Sequence, residues 1–449
     1  MVGIGCFKFC MSKSLNFNRL NLLIAICIII FLFSCRKDKV PYSTSLEQIL
    51  FEIIPGSTYH DQNATWWGYN QQKIVRYEDK IFMAVINNDN LVNGYPNASN
   101  PSTAYIYCKT DQGNWVKGAG LPTSRPVNLL IDSQGILHVI LFEPTEVDPT
   151  ENGSLGRLKH YWFPHSSTGN IDTHLHEIIE NHNQGEPESV NIRIGSTISS
   201  DNKMYVSFGI NQDVKVYSKE ENTSTWVEEL AGQNLGNSYY YPFIATTSNG
   251  PCILAIQDDY VGPGLPAIYH KNKLFYRFNG SWINQTLLDL STHPLAASRN
   301  RLADNCELFV TSDNRVLGIY QSYLEPNIDW KATYTQIELA PSGNVISTPL
   351  TLESDEINRV RIIEHHGEIY YICIKYDKLF IKKGINGPLT LINTPSFTSG
   401  NYMYLSSRMN SANLNSNYID ILLLNGNVAE YPNAPNYYVR IPTSQLAKL

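Results

Sequence analysis

The chain has 449 residues, with 34 basic and 41 acidic side chains and a formal net charge of −7. A general nucleic-acid binder is expected to be basic, so that role is disfavoured. Aromatics make up 11% and charged residues only 17%, which is the composition of many short strands and turns rather than of long helices or disorder.

Residues 20–34, LNLLIAICIIIFLFS, follow Arg19 and end at Cys35. Fifteen apolar residues are short for a membrane span and right for a signal-peptide core. The ending Leu32-Phe33-Ser34-Cys35 resembles the bacterial lipobox, which implies cleavage before Cys35 and lipidation of its thiol. An uncleaved signal anchor is the competing reading, and Met11 opens a more ordinary signal peptide than Met1 does. Removing Lys8, Lys13 and Arg19 leaves 31 basic against 41 acidic side chains. Arg36-Lys37-Asp38-Lys39 reads as a polar tether to an outer membrane, on its periplasmic or its cell-surface face. The expected organisation is a signal segment over 1–34, a lipidated tether and short helix over 35–60, and a propeller over 61–449.

Within the tether region, Leu46, Ile49, Leu50, Ile53 and Ile54 have helical spacing, and Ser45 with Gln48 reads as a capping box. The spacing predicts a short helix over 45–54; a strand closing the last blade is the alternative.

Beyond it, Val127–Phe142 sets the pattern: an apolar run, a four-residue turn at Asp132–Gly135, and an alternating run, which is a β-hairpin signature. The same sentence recurs with turns near Asp79, Gln134, Asn202, Asn249, Asn314, Gly367 and Asn415, about 56 residues apart, a period of propeller blades. The fold class is therefore all-β, a seven-bladed propeller with four-stranded antiparallel blades and a short helix before it. One such sheet cannot cover both its apolar faces, and stacking seven around an axis does so. Trp115, Trp226 and Trp282 recur after small or polar residues (GNW, STW, GSW), and are expected to wedge between blades. Cys108, Cys252, Cys306 and Cys373 lie in or beside apolar runs without metal-type spacing; sequence cannot pair them.

Two stretches carry a family likeness. Ala64–Ile86, ATWWGYNQQKIVRYEDKIFMAVI, resembles the opening of BNR-repeat-containing propellers, and IDSQGILHVILF is similar to their D-x-x-G-x-x-H-V hairpin. The resemblance implies a bacterial lipoprotein of the sialidase or polysaccharide-lyase type. Where lyase-like relatives carry a His before and after the blade-two strand, this chain reads Ser124-Arg125-Pro126 and Leu141-Phe142-Glu143.

In a propeller the starts of all inner strands gather at one end of the axis. Those starts read Arg125, Arg193, Arg299 with Arg301, Arg359 with Arg361, and Arg408, while blade four offers Tyr239, Tyr240 and Tyr241. Guanidinium forks suit carboxylate or sulfate and tyrosine faces suit sugar rings, so the expected partner is an acidic oligo- or polysaccharide bound at the central mouth. The competing reading makes these arginines ion-pair ties between blades. An enzyme reading, lyase or glycoside hydrolase, would use Tyr239, Tyr241, Arg193 and Asp258 as its candidates; a third reading is a scaffold for envelope proteins. The loops after second strands supply Asp89, Glu143, Asp213, Asp258, Asp259 and Asp377, which is a hydrolase pair only if two stand at the right separation. THLHE places His174 and His176 on one strand face, a metal pair lacking a third ligand by spacing, so no metal and no cofactor is expected. No phosphate-binding glycine loop or Gly-x-Ser-x-Gly elbow appears.

Overall fold

The computed structural model describes residues 45–54, 72–87, 101–123, 127–145, 156–182, 193–210, 213–234, 238–259, 268–326, 328, 331–352, 357–397, 401–425 and 435–449. They form seven sheets in chain order, antiparallel but for one added strand. Neighbouring sheets pack face to face and the first packs on the last, so the fold is a seven-bladed β-propeller. The inner strands are Ile74–Tyr77, Asn128–Ile131, Arg193–Ile198, Ser238–Thr247, Ala303–Val310, Ile357–His365 and Asn401–Leu405, for blades one to seven. All run the same way, which gives the ring a leading end, where they start, and a turn end, where their hairpins close.

The blade-two hairpin forms where the sequence places it. The Asp132 carboxylate accepts hydrogen bonds from the backbone N–H of Gln134 and Ile136 at 2.9 and 2.8 Å, and Gly135 takes the left-handed conformation at φ 79°. Asn128–Ile131 is buried at every position, because both faces of the sheet are covered by neighbouring blades. The three tryptophans wedge as expected. Trp115 meets Tyr438 of blade seven edge-on at 5.3 Å, Trp226 donates to Glu177 of blade two, and Trp282 donates to the Glu229 carbonyl of blade three. All four described cysteines are free and buried, and burial pushes the Cys108 and Cys306 thiols up to about 11.

The predicted helix over 45–54 is replaced by strands. Ser45–Leu46 adds a fifth, parallel strand to blade six, and Leu50–Ile53 pairs antiparallel with Tyr437–Pro442 as the outer strand of blade seven. The C-terminal run supplies only three strands to that blade, leaving a free edge whose N–H and C=O groups recruit the N-terminal segment. Gln48, at φ 59°, turns the chain between the two pairings, and Phe51 packs on Tyr437 at 5.0 Å. The alternative reading, a strand closing the last blade, is the one that holds.

Blade seven also plugs the channel. Between Leu405 and Tyr418 the chain crosses the turn end of the axis. Ile131 N–H donates to the Asn410 carbonyl at 2.8 Å, Ala412 N–H donates to the Ile131 carbonyl at 2.9 Å, and Ile198 N–H donates to the Met409 carbonyl at 3.1 Å. The Asn410 side chain, fully buried, donates to the Ile74 carbonyl at 2.7 Å. One connection thus ties the inner strands of blades one, two and three, and Arg408 carries it to Glu364 of blade six at 3.1 Å.

Candidate functional site

At the leading end, the inner strands of blades four to seven start beside one another. Tyr241, Asp304, Arg359 and Tyr402 come from those four strands; Ile256, Tyr269 and Arg301 complete a cleft. It is open to solvent and shallow, with about 30 Å³ that admits the centre of a water molecule.

Two guanidinium groups face it. Arg359 stands at φ 55°, where the pairing of blade six slips between Asn358 and Arg361, and its guanidinium carbon lies 3.9 Å from the centre of the Tyr402 ring. A non-glycine residue in the left-handed region is strained, and such strain gathers at functional positions. Arg301 is ion-paired to the buried Asp304 and lies 5.6 Å from the Tyr323 ring, its backbone fixed by a bridge to Tyr269. Across the cleft, the Tyr241 and Tyr269 hydroxyls are 3.1 Å apart. Among the described lining residues are two guanidinium groups and one carboxylate, a donor-rich wall that suits an anion, and three tyrosine rings that suit sugar faces.

The sequence candidates divide. Arg301, Arg359 and Tyr241 line the cleft. Arg193, Tyr239, Tyr240 and Asp258 occupy strands that run to the same end, but their side chains are outside the described set. Arg125, Asp89 and Cys35 lie outside the described residues. Arg299 is at the leading end yet is not a cleft residue; its Nη2 donates to the Pro326 carbonyl at 2.7 Å. Arg408 is a correction: it follows the inner strand of blade seven, lies at the turn end in the plug, and pairs with Glu364. The run MYLSSRMN reads as an inner strand throughout, but the strand stops at Leu405.

Arg361 follows the tie reading. It is buried, and donates to the Met403 carbonyl at 2.9 Å and the Cys306 carbonyl at 2.7 Å, joining blade six to blades seven and five. Its carboxylate neighbour Glu307 is 3.7 Å away, and burial pushes that carboxyl up to about 7. Two of the loop acids are also spoken for, Glu143 by Lys159 and Asp259 by Lys271.

A network that pattern reading did not find runs through blade two. His138 Nδ1 lies 2.9 Å from His160 Nε2, and His160 Nδ1 lies 2.8 Å from Glu177, which also pairs with Lys219 of blade three. Burial first, then His138 and Lys219, hold His160 down to about 4. Against burial, the bonds from His160, Lys219 and Trp226 hold Glu177 down to about 2. A trace of it in the sequence is the alternation of His138 with Ile136 and Ile140 in the second run of the blade-two hairpin. His174 and His176 flank the Tyr161 ring at 5.4 and 5.2 Å, and among the described residues no three His, Cys, Asp or Glu side chains gather as metal ligands.

No family model matches the chain, and no curated protein matches it. Among solved structures, the chain is similar to the polysaccharide lyase Uly1, at 11% identity and a TM-score of 0.51, covering 83% of this chain and 90% of that one. An alpha-L-arabinofuranosidase of Fusarium graminearum matches at 11% identity and a TM-score of 0.43, covering 71% of this chain and 93% of that one. A Trypanosoma rangeli sialidase matches at 9% identity and a TM-score of 0.41, covering 71% of this chain and 53% of that one. The first likeness establishes the shared propeller fold.

Proposed function

We propose that the protein is an envelope lipoprotein, anchored through Cys35 in an outer membrane, that binds an acidic glycan at the leading end of its propeller. One observation carries this reading: Arg301 and Arg359 converge with Tyr241, Tyr269 and Tyr402 on a single cleft drawn from blades four to seven. The guanidinium groups would hold a uronate carboxylate or a sulfate, and the rings would stack on sugar faces. The neighbouring fold belongs to a protein that acts on a polysaccharide, which agrees with the ligand class.

The test is a glycan array of uronate-containing and sulfated oligosaccharides, probed with residues 36–449. Retention of an acidic glycan that disappears in Arg301→Ala/Arg359→Ala supports the reading. Unchanged retention by the folded double variant rejects it. The Tyr241–Tyr269 hydroxyl pair beside the arginines favours a lyase as the second reading. There, one tyrosine, as the tyrosinate, would take the proton from the carbon next to the uronate carboxyl, a carbon–carbon double bond would form as the glycosidic C–O bond breaks, and the other hydroxyl would give its proton to the departing sugar oxygen. An absorbance scan for unsaturated ends separates a lyase from a binder.

A further inference from the structure

At the turn end lies a second and larger space. It has about 830 Å³ wide enough for the centre of a water molecule, within the volume range of small-molecule sites. Its walls are the inner hairpin turns of blades three, four and five, and its remaining side is the plug of blade seven. The plug lies against blades one to three, so the basin opens on the opposite half of the ring from most of the plug's bonds.

We propose that this basin is a binding site for a neutral oligosaccharide, separate from the leading-end cleft. Three features of the walls point to that chemistry. First, the cations that line it are already met by carboxylates: Lys203 by Glu220 at 2.8 Å, Arg277 by Glu229 at 2.8 Å, and Arg408 by Glu364 at 3.1 Å. An anion arriving there would have to displace a protein carboxylate. Second, Ser200, Thr246, Ser411 and Asn413 line the basin, and among the described residues their side chains have no hydrogen-bond partner; Ser411 is only 4% exposed. Hydroxyls and an amide can both donate and accept, which matches sugar hydroxyls, themselves donors and acceptors. Third, Met409 and Leu414 of the plug supply apolar surface for the C–H faces of a sugar.

The walls are also fixed before any ligand arrives. Asn314 of blade five, at φ 68°, accepts from Ser248 N–H at 3.0 Å and donates to the Ser248 hydroxyl at 2.6 Å, clasping the turn of blade four. Asn202 clasps Ser133 in the same way, blade three to blade two, at 2.8 Å for both bonds. A site held in place in advance loses less freedom on binding.

The experiment is saturation-transfer NMR on residues 36–449 with maltotriose, cellotriose, xylotriose, laminaritriose and mannotriose at millimolar concentration. At least one should show transfer. That signal should fall at least about fivefold in Thr246→Trp, which fills the basin, and in Ser200→Ala/Asn413→Ala, which removes polar wall groups without added bulk. It should persist in Arg359→Ala, which alters only the leading-end cleft. Absence of transfer from all five sugars overturns the proposal, as does a signal that survives the basin variants or vanishes in Arg359→Ala. If Thr246→Trp does not fold, the double alanine variant decides alone.

Discussion

Arg76 of blade one and Asp420 of blade seven form a two-pronged pair, Nε to Oδ2 at 2.6 Å and Nη2 to Oδ1 at 2.8 Å, across the joint where the ring closes. Both are buried, and Tyr438 adds a third bond to Asp420 at 2.6 Å. On the outer side Asp111 bridges Arg76 and Arg440 at 2.9 and 2.8 Å.

Removing one partner leaves a buried charge without its counter-ion. Asp420→Ala should cost about 3–5 kcal/mol of unfolding free energy in urea titration. The double variant Arg76→Met/Asp420→Leu should be clearly more stable than Asp420→Ala, because it buries no charge. Equal losses in both would mean that the pair does not hold the joint.

Arg359 combines binding chemistry with backbone strain. Arg359→Ala and Arg359→Gly should both lose acidic-glycan retention, yet differ in stability. Glycine adopts φ 55° without the Cβ clash, so Arg359→Gly should be more stable than Arg359→Ala by about 1 kcal/mol. Thermal unfolding of the two proteins side by side checks the order.

Glu307 predicts a loss of stability on the alkaline side. Its folded carboxyl is raised from 4.5 to about 7 by burial, so the folded chain holds a proton that the unfolded chain has released. Stability from this group is full below about 4.5 and declines as pH rises to about 7, by about 3 kcal/mol. In Glu307→Gln the unfolding free energy should be flatter over that window, and higher than the parent's at pH 8.

His160 predicts the opposite slope. Its folded value, about 4, is below the ordinary 6.5, so the unfolded chain takes up a proton that the folded chain refuses. Stability is full above about 6.5 and declines as pH falls to about 4, again by about 3 kcal/mol. His160→Gln should flatten that limb in denaturant titrations at successive pH values. An unaltered slope would place the acid sensitivity elsewhere.

The ring was legible because its rhythm is local. Each hairpin turn, from Asp132–Gly135 onward, is set by neighbouring residues, and Trp115, Trp226 and Trp282 mark the blade seams from the same motif each time. Leu46, Ile49, Leu50 and Ile53 fit a helix locally, while Ile392 and Arg440, the partners of Leu46 and Leu50, lie at the far end of the chain, so local spacing favours the wrong element. The cleft was half legible: reading arginines at inner-strand starts reaches Arg301 and Arg359 but puts Arg408 at the wrong end of the axis. Tyr269 and Tyr402 carried no motif, since only the packing of four separate blades brings them together. Distant pairs such as His160 and Lys219, both on Glu177, leave no spacing to read.

Leu50–Ile53, which finish blade seven, follow Ser45–Leu46, which enlarge blade six, so two adjacent sheets depend on one short stretch. Leu50 cannot find Arg440 until nearly every other residue has been made. A chain that stops short of Tyr437 therefore leaves Leu50–Ile53 without the strand they pair with, and the ring cannot latch shut.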